Sequence, residues 1–161
     1  DPVRIIGTLY VPKAKLLMTT IVQTRIATPD DAPALARLNT AFNETSDTPE
    51  QIAVRLRDPR RVEMPILAEI DGAAVGFAAV RVVPSVFYTE PYAELTELFV
   101  EAAYRRQGVA RALLAHAEQL AQEAGATQLY LLTGIDNEDA QQFYGAVGYE
   151  DYVLAMHKRL R

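Results

Sequence analysis

The stretch Tyr104-Arg105-Arg106-Gln107-Gly108-Val109-Ala110-Arg111 puts two arginines and a glycine where a helix should begin. From Val109 onward, apolar residues recur at helical spacing. A helix N-terminus carries about half a positive charge, so Arg105 and Arg106 sit where cations are least favoured. Gly108 takes the place where Ser, Thr, Asp or Asn would cap the orphan amides. A bound anion resolves both mismatches. Backbone amides from Arg106 to Ala110 can converge on one point, Gly108 lets a ligand approach the backbone, and the small Ala110 leaves room beside it. A phosphate there would be held by amides and the helix dipole, and it would offset the arginines. The plainer alternative is a solvated basic turn. The chain contains neither the P-loop pattern with its phosphate-gripping lysine nor the GxGxxG dinucleotide fingerprint. A ligand whose phosphates are held chiefly by backbone, without metal, fits better.

A second cluster lies downstream, in NEDAQQFYGAVGY from Asn137 to Tyr149. Arg105-x-x-Gly108-x-Ala110, set between ELTELFV and RALL, resembles the acyl-CoA motif of the GNAT N-acetyltransferase superfamily. The Asn137 segment is similar to that family's second signature: Asn, then Ala, then Tyr, then a Gly-aromatic pair. The resemblance runs from about Ile21 to Leu160, with the family's element order. Ala110 stands where the family often has glycine. What the resemblance implies is an α/β single domain with a mixed, mostly antiparallel sheet flanked by helices, whose central strands splay to form an acyl-CoA slot. It further implies an acetyl-CoA-dependent enzyme that moves the acetyl group directly to a primary amine in a ternary complex, with no covalent acyl-enzyme. In those terms, Arg105, Arg106, Gln107, Gly108, Val109, Ala110 and Arg111 bind the CoA pyrophosphate. The backbone of Leu98, Phe99 and Val100 pairs with the pantetheine arm like an added strand, and Asn137 contacts the arm from the far side. A backbone amide near Phe99 or Val100 is the implied oxyanion donor.

Direct transfer needs a neutral amine and a protonated leaving thiolate. An alkyl amine with a pKa of about 10 is mostly charged at neutral pH, so a base or a water relay is useful. Tyr144 matches the family's usual general acid, against the alternative of a packed core tyrosine. Glu94 and Glu97 lie three residues apart on one expected strand, so they should point to opposite faces unless a bulge intervenes. Glu94 matches, by its spacing from the Arg105 motif, the glutamate base of the family's histone-acetylating branch. Glu97 is the other carboxylate on offer, and relatives that use water leave both as residues lining the cleft.

Other chemistry finds less support. His116 falls at the edge of a helix's polar face and is expected to be solvated; His157 is expected at a strand edge. Two histidines, no cysteine and no HExxH pattern argue against a metal site. Neither Ser46 nor Ser85 lies in GxSxG, which removes the serine hydrolases. On the acceptor side, Asn43–Glu50 and Glu90 form an acidic rim that would favour a cationic amine, unless these loops are simply polar. An aminoglycoside, a polyamine or other small amine, an amino acid, or a protein N-terminus or lysine all remain open. The aminoglycoside suggestion rests on analogy and acidity. Rival readings are a non-catalytic acyl-CoA-binding or sensor module on the same fold, and a nucleotide-phosphate-binding domain unrelated to CoA.

These residues must be positioned by one domain. The 161 residues are 50% apolar and 23% charged, an ordinary globular composition with enough chain for a core. The net charge of −5 argues against nucleic acid as a partner and is compatible with steering of a cationic substrate. The absence of cysteine rules out disulfides and thiol nucleophiles. No apolar run approaches the roughly 20 residues of a membrane span. Residues 1–17 lack the features of a signal peptide and are read as an N-terminal extension, appended or non-native, before a domain over residues 18–161. A native extra strand is the alternative for that extension. A cytoplasmic protein is expected, and a homodimer is compatible with it.

The element order expected is β-α-α-β-β-β-α-β-α-β. A strand over Ile21–Ala27 leads to a helix capped by Thr28 that carries Ala34, Leu35, Leu38 and Phe42. Thr48-Pro49-Glu50 opens a short helix with Ile52, Val54 and Leu56. Pro65–Ile70 and Ala74–Val83 form a hairpin about Asp71-Gly72. Tyr92–Val100 is the next strand, followed by the helix from Val109 to the Gly125 stop. Gln128–Thr133, a helix capped by Asn137, and one or two strands within Tyr149–Leu160 complete the chain.

Overall fold

Asp71 and Gly72 both take left-handed backbone angles (φ 50° and 78°), as a tight type I′ hairpin turn demands. They join β2 (Glu63–Ile70) to β3 (Ala73–Val83) in the computed structural model, which describes residues 21–160. The extension proposed for residues 1–17 lies outside the described residues. Three further strands, β1 (Gln23–Ile26), β4 (Tyr92–Val100) and β5 (Leu129–Leu131), complete a sheet in the order β1-β2-β3-β4-β5. Neighbours are antiparallel except β4 and β5, which run parallel. The result is a mixed, mostly antiparallel α/β domain.

Local capping sets the helices. The Thr28 N–H donates to Asp31 Oδ2 at 2.8 Å in a single 3-10 turn that leads into α1 (Ala32–Asn43). Arg25 also grips Asp31, and its hydrogen bonds hold that carboxyl down to about 2. At α2 (Pro49–Arg57), Thr48 and Gln51 exchange backbone and side-chain hydrogen bonds of 3.3 and 2.8 Å, a reciprocal capping box. The remaining helices are α3 (Val109–Glu123) and α4 (Glu138–Ala146).

The sheet is covered on both sides. Leu35 and Leu38 of α1, with Ile52 and Leu56 of α2, pack on Leu67 and Phe77. On the opposite face Val109, Leu113, Leu114 and Ala117 of α3 pack on Ile66, Ala68, Val80 and Leu95, with Phe143 and Tyr144 of α4 against the same cluster. Each large side chain fully buried here contributes about 1.5–3 kcal/mol. These two sides are called below the α1 face and the α3 face.

Several expectations are corrected. The segment Tyr149–Leu160 forms no strand; from Glu150 onward it is exposed, with Leu154 and Met156 at 85% and 89% exposure. Strand propensity there is local, whereas a strand needs an edge to pair with, and β5 is only three residues long rather than the six expected over Gln128–Thr133. His157 therefore sits at no strand edge. His116 is not merely solvated: it is half-buried, with Nδ1 3.0 Å from the Thr24 hydroxyl of β1. Val54 points outward at 67% exposure, since α2 lies over the sheet through Ile52 and Leu56.

Candidate active site

The register between β3 and β4 decides the site. Gly76 to Ala79 pair in sequence with Val100 back to Glu97, but Val80 pairs with Leu95. Thr96 is the extra residue of a β-bulge, and side-chain parity reverses across it. Glu97 and Phe99 face α1: Asn43 Nδ2 donates to Glu97 Oε2 at 3.4 Å, and Phe99 stacks on Phe42 with ring centroids 5.1 Å apart. Arg81 lies on the same face as Phe77, four residues along β3, and its guanidinium reaches Glu94 at 2.6 Å. Glu94 thus shares the α1 face with Glu97. The two carboxylates would stand on opposite faces of a regular strand; the bulge brings them together.

The same point marks the end of pairing with β5. β4 and β5 pair only over Ala93–Leu95 and Leu129–Leu131, while β4 continues to Val100. A gap therefore opens along Thr96–Val100, beginning at the bulge. Backbone groups alternate in direction along a strand. The Glu101 N–H donates to the Val75 carbonyl at 3.0 Å, toward β3. By alternation the Phe99 amide also points to β3, and the Leu98 and Val100 amides point into the gap. Of the two donors expected near the oxyanion, Phe99 is spent on the sheet; Val100 and Leu98 are free to serve.

The turn beyond β4 has the nest geometry. Arg106 (φ 64°) and Gly108 (φ 86°) are both left-handed, on either side of Gln107. No side chain caps the start of α3, so the amides of Val109, Ala110 and Arg111 have no side-chain acceptor. A Cβ built on Gly108 would meet nothing within 4 Å, so the nest opens to solvent. The Arg105 side chain turns back, its Nε donating to the Val100 carbonyl at 3.1 Å, which ties the turn to the gap. Gln107 Nε2 braces the turn through the Ala103 carbonyl at 3.1 Å. Arg106 and Arg111 remain exposed.

The titratable groups are distinguished by their surroundings. Glu94 is buried at 8% exposure and engaged by Arg81. Glu97 is half-buried, and desolvation pushes its carboxyl above the usual range, with the Glu63 charge adding to this and the Asn43 hydrogen bond opposing it. Tyr144 is half-buried between Phe143 and Tyr149, with centroids 5.3 and 5.7 Å away, and burial raises its phenol. Asn137 caps α4 by accepting from the Ala140 N–H at 3.2 Å, which leaves its amide nitrogen for other contacts. Among the described residues, no group of three or more His, Asp or Glu is placed to hold a metal ion. Nor, among them, is any helix long and apolar enough to cross a membrane. Sequence reasoning missed Glu63, Arg81 and Thr96 and placed Asn43 only in the acceptor rim, not beside Glu97. All four meet through cross-strand or helix–sheet contacts that no local spacing announces.

Family comparison agrees with this geometry. The Acetyltransferase (GNAT) family profile matches residues 32–149, a span that holds the bulge, the gap and the nest. The chain belongs to the GNAT acetyltransferase family. An aminoglycoside N(6')-acetyltransferase type 1 from Stenotrophomonas maltophilia is 31% identical over 140 residues, covering 84% of this chain and 91% of that protein. An aminoalkylphosphonate N-acetyltransferase from Salmonella typhimurium is 34% identical over 94 residues, covering 58% and 61%. Among solved structures, aminoglycoside N-acetyltransferase AAC(6')-Iy in complex with CoA superposes with a TM-score of 0.75 at 20% identity, covering 94% of this chain and 99% of that one. This GNAT chain is therefore an N-acetyltransferase, with the five-stranded open sheet of its structural neighbours.

Proposed function

We propose that this enzyme transfers the acetyl group of acetyl-CoA directly to a primary amine of a small cationic acceptor, an aminoglycoside being the first class to test. The observation that carries this reading is the coincidence at Thr96 of the bulge, the loss of β5 pairing and the half-buried Glu97. Acetyl-CoA would lay its pantetheine arm along Leu98–Val100 and its pyrophosphate on the amides of the Arg106–Arg111 turn. Asn137 would face the arm from across the gap. The thioester carbonyl would accept from the Leu98 or Val100 amide, which favours negative charge developing on that oxygen.

Glu97 is the better general base of the two carboxylates, because Glu94 is already committed to Arg81. Its raised carboxyl matches the task of taking a proton from an ammonium acceptor, directly or through water. The amine then forms the new C–N bond, the C–S bond breaks, Tyr144 gives its proton to the departing thiolate, and the proton that the nitrogen sheds on becoming an amide restores the phenol through water. Carboxylate on the α1 face supports a cationic substrate: Glu63 and Glu97 both stand there, and Arg81, the cation between them on β3, gives its hydrogen bonds to Glu94.

Thermal unfolding with acetyl-CoA, with ATP as control, tests the cofactor half of this reading. Ligand at 100 times its Kd adds about 2.7 kcal/mol, which should raise the Tm of a chain this size by roughly 5–10 °C. Thiol release across aminoglycosides, polyamines and amino acids tests the acceptor half. A Tm unmoved by acetyl-CoA would overturn the assignment of the nest, and turnover confined to uncharged amines would overturn the cationic acceptor.

A further inference from the structure

We propose that Glu63, at the start of β2, is a positioning residue for acetyl transfer: it reaches across β3 to hold the bulge of β4 through the Thr96 hydroxyl. This inference rests on the active-site reading above.

Register places Glu63 opposite Arg81, and Arg81 opposite Glu94, in one row across β2, β3 and β4. A simple charge ladder would let Arg81 bridge both carboxylates. Instead Arg81 gives its short contacts to Glu94, while Glu63 Oε1 accepts from Thr96 Oγ1. The hydroxyl's other acceptor is the Ala79 carbonyl at 3.3 Å, a longer contact. A side chain from two strands away thus fastens the one residue that the ladder leaves unpaired.

The consequence follows from strand geometry. A bulge residue has no partner on the neighbouring strand, and a slip by one position turns every following side chain to the other face. Here such a slip would send Glu97 to the α3 face and turn the Leu98 amide away from the gap toward β3. The Glu63–Thr96 bond therefore holds both the face of the base and the direction of an oxyanion donor. Glu63 also acts on Glu97 by charge. The groups that act on Glu97 are Asn43 from α1, which is neutral and donates to it, and Glu63 of β2, whose charge adds to burial. Arg81 of β3 feels Glu63 but gives its hydrogen bonds to Glu94 of β4, and Arg61 donates to the Glu63 backbone carbonyl.

Glu63→Ala, Glu63→Gln and Thr96→Val separate these roles. Glu63→Ala and Thr96→Val lose the fastening, and kcat should fall by about 10- to 100-fold, with a smaller loss of acetyl-CoA affinity, since the Leu98–Val100 backbone also carries the pantetheine arm, and with little change in Tm. Glu63→Gln keeps an acceptor for Thr96 but removes the charge. It should restore kcat to within about threefold of the parent and move the acid limb of the pH profile to lower pH. NMR reads the same two effects without turnover. Glu63→Ala and Thr96→Val should shift the Leu98 amide resonance, and Glu63→Gln should lower the titration midpoint of the Glu97 carboxyl. Should no amine be acetylated by the parent enzyme, these NMR readouts still decide the role of Glu63. An unmoved Leu98 resonance in Glu63→Ala, or Glu63→Gln as impaired as Glu63→Ala, would overturn the proposal.

Discussion

At the scale of single residues, the site divides labour by environment. Burial raises the Tyr144 phenol, so it stays protonated across the working range and has a proton to offer a departing thiolate. Tyr144→Phe should cut kcat by about 100-fold while acetyl-CoA still raises the Tm as in the parent. A binding loss as large as the rate loss would make Tyr144 a packing residue instead. Glu97 works in the opposite sense: burial raises its carboxyl, and it can accept a proton only when ionised. Activity should therefore fall as pH drops through that raised value, which lies above the ordinary glutamate value of about 4.3. In Glu97→Gln the acid limb of kcat/KM should disappear along with most of the rate. An acid limb that persists unchanged would transfer the base role to Glu94 or to a water relay.

Among the elements, the turn before α3 carries the sharpest prediction. Arg106 and Gly108 both take positive φ, the backbone geometry of an anion nest, and the arginines that look misplaced in the sequence gain a reason when an anion sits among them. Gly108→Glu would put a carboxylate in the nest and force a bulky residue into left-handed geometry at a cost of about 1–2 kcal/mol. It should remain folded with a Tm a few degrees lower, and acetyl-CoA should no longer raise that Tm. Gly108→Asn, which tolerates the same backbone angle, should keep the fold and lose less affinity; equal loss in both would mean that strain, not charge, is at work. Caps, hairpin and helix faces were readable from the chain because each depends on residues a few positions apart. Thr48 with Gln51, and Asp71 with Gly72, hold the roles that their spacing announces. The strands expected after Tyr149 failed for the complementary reason, since apolar alternation cannot show whether a paired edge is within reach.

For the whole molecule, the net charge of −5 acts at long range. A cationic acceptor should be drawn toward the enzyme, so its KM should rise as salt is increased from about 0.05 to 0.3 M, as screening shortens the reach of the field. A KM indifferent to salt would locate acceptor selectivity in contacts alone. By itself the sequence determined the order of the main elements as far as α4, the helix caps and the hairpin, and it supplied the residues proposed for the chemistry. Each of those is set by local backbone angles, local hydrogen bonds or the period of one element. Only the tertiary structure decided that Thr96 bulges, that β5 parts from β4 at the same point, that Glu94 is taken by Arg81 and that Glu97 lies on the α1 face beside Asn43. These are matters of register. One unpaired residue reverses the parity of all that follow it, and its position is set by which strands pair, not by the residues on either side.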